Sequence, residues 1–458
     1  MVTRLLTLVV GTVIIGDGAW AADAHVDAPA RASHAQAEHD QLVRRLDRIE
    51  AGLQRLEANE TDHWLTRRRA AEIRELVRDV LGDADARTTL KDTDLPGGWD
   101  DGFFLQSPDG NFRLEVSGQL QVRYVWNRRR RSNGTLDTRD GFAVRRAKIK
   151  IDGHLISPDL GYTIGMAQSP ARGFVLQSFN VRYRVTDELM VLVGRARPPL
   201  LREEQVSSKR QLAMERSLVS KAFSQTRTVG VMLRYRDDLF RVSAGVMDAS
   251  VGNVDPSAPV DELIGELAPG DRWRASARAE VLLRGRWKEI DDFTSFPGDT
   301  PTVALGTGVM LQWEDLLPIA GVVRNNTNLL RWTADITVEF GGANIFAYVI
   351  GTTVDEKSKP ILHQFGAVVQ AGIFVTDEWE LFGRYEAGET DGVGEELSVL
   401  TVGANHYFSE HELKWTMDVG YGFNPVDSFW SSRRAAWLKD DAGEAGQLVV
   451  RMQMQMLF

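Results

Sequence analysis

Residues 112–126 alternate without interruption. Phe112, Leu114, Val116, Gly118, Leu120, Val122, Tyr124 and Trp126 share one parity, and Arg113, Glu115, Ser117, Gln119, Gln121 and Arg123 share the other. Successive strand side chains point to opposite faces, so the pattern predicts one face in an apolar medium and one in water. The same period closes the chain, with Leu448, Val450, Met452, Met454, Met456 and Phe458 set against Gln447, Arg451, Gln453 and Gln455. Alternation that runs to a terminal aromatic suits a strand between lipid and water better than a strand in a soluble core. Further candidates lie near 142–156, 160–168, 174–186, 188–197, 226–237, 239–248, 272–284 and 302–313. The rest fall near 328–341, 343–353, 362–376, 379–389, 396–408, 411–423 and 446–458. The total of about sixteen is even, as bacterial single-chain barrels require.

The connections alternate in length. Short polar turns stand at 157–159, 186–188, 236–238, 341–344, 376–378 and 409–411, and longer links at 127–140, 198–225, 249–271, 314–327 and 424–445. Short periplasmic turns opposite long external loops are the bacterial arrangement, and only 285–301 is longer than that rule predicts. Tyr124, Trp126, Tyr183, Tyr235, Trp313, Trp332, Trp379, Trp415 and Phe458 lie near strand ends, as in an aromatic girdle. The fold class predicted for 112–458 is all-β, a 16-stranded antiparallel transmembrane β-barrel.

The preceding residues read differently. Arg4, the apolar run Leu5 to Ile15 and the small-x-small Ala19-Trp20-Ala21 predict an export signal over 1–21. That run is too short for a membrane helix, and no later segment offers about 18 uninterrupted apolar residues. Export without a membrane helix leaves the periplasm, the cell surface or the outer membrane, and the barrel pattern selects the outer membrane. Residues 22–38 read as a linker. Over 39–82, Leu42, Leu46, Ile49, Leu53 and Leu56, then Ala70, Ile73, Val77 and Val80, follow a heptad-like spacing that Gly82 ends. This predicts an α-helical coiled coil that oligomerises the chain, with a trimer expected and cell-wall contact as a further role. A single amphipathic helix on the barrel is the alternative. Residues 83–111 form a linker with a small hairpin around Phe103–Gln106 and the turn 107–111.

Composition alone conceals all this. With 43% hydrophobic and 26% charged residues and a net charge of −10, the chain passes for an acidic soluble protein. The negative balance argues against nucleic acid as a partner. The lumen-facing parity carries the opposite sign. Its bases are Arg113, Arg123, Arg146, Lys148, Lys150, Arg182, Arg184, Arg234, Arg236, Arg241, Arg272, Arg274, Arg278, Arg284, Arg331, Arg384, Lys414 and Arg451. Its acids are Glu115, Asp152, Glu280, Asp335, Glu339, Glu380, Glu386 and Asp418. Eighteen bases against eight acids leave about +10 on the inner wall. A cation at the lipid-facing midplane costs about 2–4 kcal/mol, which assigns these residues to water. Water held between low-dielectric walls focuses their field on anions. The candidate anion-binding positions on the wall are Arg146, Lys148, Lys150, Arg182, Arg184, Arg234, Arg272, Arg274 and Arg278. The plainer reading pairs such residues with neighbouring acids, but eight acids do not absorb eighteen bases.

The stretch Phe142-Ala-Val-Arg-Arg-Ala-Lys-Ile-Lys-Ile-Asp-Gly153, the segment 197–217 ending Met214-Glu-Arg-Ser217, and Val399 to Phe408 resemble the phosphate-selective porin O and P family. The resemblance extends over roughly 97–458. It implies a sixteen-stranded trimeric porin in outer-membrane lipid, with a basic path for phosphate and a third long loop that folds inward. Here that loop is 198–225. It adds Lys209 and Arg210 to the candidates, makes Arg202, Arg216 and Lys221 available to an anion, and offers Glu203, Glu204 and Glu215 as anchors. Pro198-Pro-Leu200 departs from the family, many of whose members carry an aromatic after the proline. Anion preference follows from the lumen charge, and phosphate from the resemblance.

Other chemistry finds little support. The chain has no cysteine. The aspartates between Asp92 and Asp109 lack calcium-loop spacing, and His25, His34 and His39 lie too loosely in a linker for a metal site. Gly306-Thr-Gly308 sits inside a predicted strand and lacks the context of a nucleotide loop. His406 and Asn405 point to opposite faces and share no catalytic site. No enzyme and no cofactor is expected. The expectation is a passive channel for small anions, phosphate first. The alternatives are a structural anchor with a cell-wall-facing stalk and a porin of broader specificity.

Overall fold

Where lipid supplies no hydrogen-bond partners, strands cross a membrane only when every edge is paired, so the alternating pattern demands closure. A computed structural model of the chain describes residues 96–458 apart from 101, 132, 170–172, 226, 249–271, 315–326, 358, 392–395 and 441–443. The expected signal peptide 1–21, linker 22–38 and coiled coil 39–82 lie outside the described residues, as do most of the links 249–271 and 314–327.

Two short strands come first, β1 (Gly97–Trp99) and β2 (Phe103–Gln106). The barrel then begins with β3 (Arg113–Arg130), β4 (Leu136–His154), β5 (Leu160–Ser169), β6 (Gly173–Arg184), β7 (Leu189–Ala196) and β8 (Thr228–Arg236). It continues through β9 (Phe240–Asp248), β10 (Arg272–Arg284), β11 (Thr302–Glu314), β12 (Thr327–Glu339) and β13 (Ala343–Glu356). It ends with β14 (Leu362–Phe374), β15 (Trp379–Thr390), β16 (Leu397–Ser409), β17 (Leu413–Gly422) and β18 (Leu448–Leu457). Each strand from β3 on pairs antiparallel with the next, and β18 pairs β3 from Leu448↔Arg128 to Leu457↔Gln119, which closes sixteen strands. The hairpin β1–β2 extends the sheet just past that seam, with Phe103 opposite Val116 and Gln106 opposite Arg113.

The parity read from the sequence holds around the wall. Leu114, Val122, Tyr183, Val231, Tyr235, Trp332, Tyr385, Val402 and Met454 are exposed outward, whereas Gln121, Arg123, Arg331, Asp418 and Arg451 are buried inside. No helix among the described residues is long and apolar enough to cross a membrane; the crossing falls to the strands.

Three details differ from expectation. The link 127–140 is mostly strand, because Arg129 pairs with Asp137 across the ladder at 3.2 Å and carries β3 and β4 past the apolar belt. Opposite Gln121 and Val122 of β3 the register of β4 shifts, leaving Arg145 as the extra residue of a bulge. A second bulge, at Leu283, sets Arg284 opposite Val303 and removes it from the inward row.

The interior is not simply polar. Phe346, Tyr348 and Ile350 of β13, Val368 of β14, Phe382 of β15 and Val399 of β16 face inward and are buried. Against them pack Leu212, Leu218, Val219 and Phe223 of the 198–225 link, and Val426, Trp430 and Trp437 of the 424–445 link. Inward glycines make room for these rings: a Cβ at Gly388 would lie 2.4 Å from Trp430, and one at Gly420 would lie 2.6 Å from Trp437. The long link 285–301 also turns inward, packing Phe293 against Phe346 with ring centroids 4.5 Å apart and setting Asp292 3.2 Å from His411. Its unusual length is used to fill the barrel mouth. Three inserted links thus share one apolar core against β13–β18, which leaves the β3–β8 side of the lumen as the polar side.

Candidate functional site

The 198–225 segment crosses the lumen as a short helix α1 (Arg202–Gln205), a bend, and a second helix α2 (Leu218–Ala222). Ser217 caps α2 by accepting from Ser220 N at 2.8 Å. Glu203 accepts from Ser217 N at 2.8 Å, Ser217 Oγ at 2.6 Å and the Tyr348 hydroxyl at 2.9 Å. Glu204 accepts from Ser224 Oγ at 2.6 Å and Gln225 N at 3.2 Å. A loop inside a barrel must still satisfy its backbone, and here wall residues, four cations and one amide, do so. Arg278 donates to Leu200 O, Lys414 to Gln211 O, Asn405 to Leu212 O, Arg384 to Glu215 O and Arg331 to Phe223 O, at 2.7–3.0 Å.

Among the described residues, three adjoining chambers lie open in the lumen. The outermost, on the long-loop side, has a volume of about 490 Å³. The wall gives it Arg145, Arg146, Arg195, Arg197 and Arg227, the constriction loop gives Arg216 and Lys221, and the 424–445 link gives Arg433 and Arg434. Its acids are Glu204 and Glu215. Burial and then Arg227 bring the Arg197 guanidinium down to about 10, burial and then Arg197 do the same to Arg216, and burial and then Arg216 to Arg227. Guanidiniums that depress one another are short of counter-charge, yet at neutral pH they stay protonated.

Gln177 and Arg227 also line the second chamber, of about 570 Å³, with Lys148, Lys150, Lys209 and Arg210 facing Glu115, Asp152 and Asp291. Gln205 is shared between this and a third chamber of about 510 Å³ at the short-turn end. There Arg184, Arg234, Arg236, Arg241 and Arg278 meet Asp187, Glu188 and Glu280. The excess of positive charge is greatest on the outer side and smaller within.

The structure separates the predicted residues into groups. Arg146 lies in the outer chamber, 2.7 Å from both Gln121 Oε1 and Glu215 Oε2. Lys148 reaches Ser208 Oγ at 2.9 Å, and Lys150 lies 2.5 Å from Asp152, both with Lys209 and Arg210 in the second chamber. Arg182 sits 3.9 Å from Asp152. Arg184, 3.7 Å from Asp159, and Arg234 belong to the third chamber. Arg274 is buried beside Gln312 at 2.6 Å, and Arg278 lies between Asp335 at 2.8 Å and Glu280 at 2.9 Å. Arg278 also reaches the loop, at Leu200 O. Arg272 opposes Glu314 in the ladder, and its side chain is not described. Among the loop residues, Arg202 pairs with Glu280 at 3.1 Å, and Arg216 donates to Glu203 O and Val206 O at 2.8 and 2.7 Å.

Sequence reasoning misses Arg145, Arg195, Arg197, Arg227, Arg433 and Arg434. Alternation places Arg145 outward, and only the bulge turns it in. Arg197 and Arg227 stand near the ends of the candidates 188–197 and 226–237, on the parity opposite to the buried Leu192 and Met232, so alternation assigns them outward. Arg433 and Arg434 are brought in by a loop whose path the sequence does not encode locally. Among the described residues, no group of three His, Cys, Asp or Glu side chains could hold a metal ion.

Comparison with known proteins agrees with this geometry. The model of the family described as phosphate-selective porin O and P matches residues 115–262, the stretch that builds the basic wall and the constriction loop. The Val399–Phe408 likeness lies outside that match. No curated protein matches the chain. An anion-selective porin from Comamonas acidovorans aligns with a TM-score of 0.53 at 12% identity, covering 76% of this chain and 100% of that one. The outer-membrane channel DcaP of Acinetobacter baumannii aligns at 0.52 and 9%, covering 77% and 99%. OmpT of Vibrio cholerae in its trimer form aligns at 0.51 and 13%, covering 76% and 99%. At these identities the likeness establishes the closed barrel. The apolar outer belt and the porin-family match place the protein in an outer membrane.

Proposed function

We propose that the barrel is a passive channel for small anions, with phosphate the first candidate. The observation that carries this reading is the outer chamber, where nine basic side chains meet two carboxylates at the narrowed part of the lumen. An anion entering from outside gains from focused charge at the mouth, and each guanidinium can offer an oxyanion two hydrogen bonds. Chambers in series let it pass between weak sites and leave, which one deep site does not allow. The acids of the inner chambers offset more of the positive charge there and favour release towards the periplasm.

Arg145, Arg146, Arg197, Arg216 and Arg227 are the proposed entry residues, followed by Lys148, Lys150, Lys209 and Arg210, then Arg182, Arg184 and Arg234. Arg278 is proposed as an anchor that keeps the loop in place, through its bond to Leu200 O. Phosphate draws support from the family match, and anion preference from the charge itself. A trimer is proposed by likeness to the Vibrio cholerae protein. An export signal at 1–21, a linker at 22–38 and an oligomerising or cell-wall-facing coiled coil at 39–82 complete the reading.

The test is inhibition of chloride current by phosphate in a planar bilayer. Phosphate added on either side is expected to reduce single-channel chloride conductance in a saturable way. Chloride current that ignores phosphate would point to a general anion porin, and no current at all to a closed anchor.

A further inference from the structure

Glu215 is a carboxylate caged by arginines. It sits on the constriction loop between α1 and α2, reaches the wall at the β4 bulge, and keeps 5% of its side chain exposed. Oε1 accepts from Arg123 Nη1 at 3.0 Å and from Arg145 Nε; Oε2 accepts from Arg145 Nη2 at 2.9 Å and Arg146 Nη2 at 2.7 Å. Burial pushes the Glu215 carboxyl up, and the three guanidiniums more than reverse this, holding it well below the usual carboxylate range.

An anchor for a loop requires one partner. Here three cations converge on one anion, so the cluster retains a surplus of two positive charges at the edge of the outer chamber. The extra arginine is supplied by an inserted residue, since without the bulge Arg145 and Arg146 would face opposite ways. Converging charge-assisted donors with a doubly positive remainder are the complement of a dianionic oxyanion. The seat is held by the protein's own side chain.

We infer that Arg123, Arg145 and Arg146 form an oxyanion seat in which Glu215 is a tethered competitor, and that this competition sets how tightly a phosphate ion is held during passage. The inference rests on the anion-channel reading. Three buried guanidiniums without Glu215 would retain a dianion, and a channel that retains its ion does not conduct it. With Glu215 present, the ion takes over one or two of the donors, and the carboxylate returns to them as the ion moves on. Glu215 is thus a specificity-determining residue. No covalent step is involved.

The experiment compares wild type with Glu215→Gln, which keeps the shape and removes the charge, in planar bilayers carrying chloride. Inorganic phosphate is the probe, and barrel assembly is checked by heat-modifiable migration on gels. In Glu215→Gln the phosphate concentration that halves chloride current is expected to fall by at least about tenfold, the scale of one charge-assisted hydrogen bond. Glu215→Asp, with its charge kept and its reach shortened by one methylene, is expected to fall between the two. An unchanged or higher half-blocking concentration in an assembled Glu215→Gln barrel overturns the inference. Should that variant not assemble, Glu215→Asp decides in the same way. Cation-selective current in wild type would instead overturn the underlying channel reading.

Discussion

Arg451 and Asp418 face each other across β17 and β18, with contacts of 2.6 and 2.9 Å and no exposure of either side chain. A pair so buried contributes little over an apolar pair, but removing one partner strands a charge. Asp418→Asn is therefore expected to destabilise the barrel by about 3–5 kcal/mol, read as a lower midpoint in urea unfolding. An unchanged midpoint would mean that Arg451 finds another acceptor. The charge sign of the inner wall was legible in the sequence because lipid forbids these residues on the other face. The division of labour among them was not. Arg278 and Arg146 look alike as strand positions, and what distinguishes them is the set of partners brought to each: Arg278 lies between the wall acids Asp335 and Glu280, whereas Arg146 shares Glu215 of a loop from elsewhere in the chain.

The strands were the readable elements. Period-two alternation is local and is enforced at every position by two different solvents, so all sixteen barrel strands fall close to where the pattern puts them. Breaks in that period were invisible, and the bulge that turns Arg145 inward is the costliest of them for locating the site. The inserted links were visible as lengths alone. Their inward course depends on Trp430, Trp437 and Phe223 meeting apolar residues on β13–β16, contacts between positions far apart in sequence. Trp430 is fully buried between Phe223 and the wall at Gly388. Trp430→Ala should cost about 3–5 kcal/mol at that contact and loosen both links together. Single-channel conductance is expected to rise and anion preference to weaken. A variant with unchanged conductance would show that the 424–445 link does not help hold the constriction.

At the scale of the whole molecule, a chain of net charge −10 presents a positively charged interior to the ions it meets. The two facts are compatible because few of the chain's 64 acidic residues fall on the inward parity of the strands, which is basic. Folding adds a second asymmetry. An apolar core built from three links fills the β13–β18 side, and the remaining passage runs along the basic wall of β3–β8. The most direct test of this arrangement is the zero-current potential of the purified barrel in a planar bilayer under a potassium chloride gradient. The structure predicts a potential of the sign set by chloride, unchanged between pH 5 and 8 because the arginines at the constriction stay protonated throughout. A potential of the sign set by potassium would contradict it.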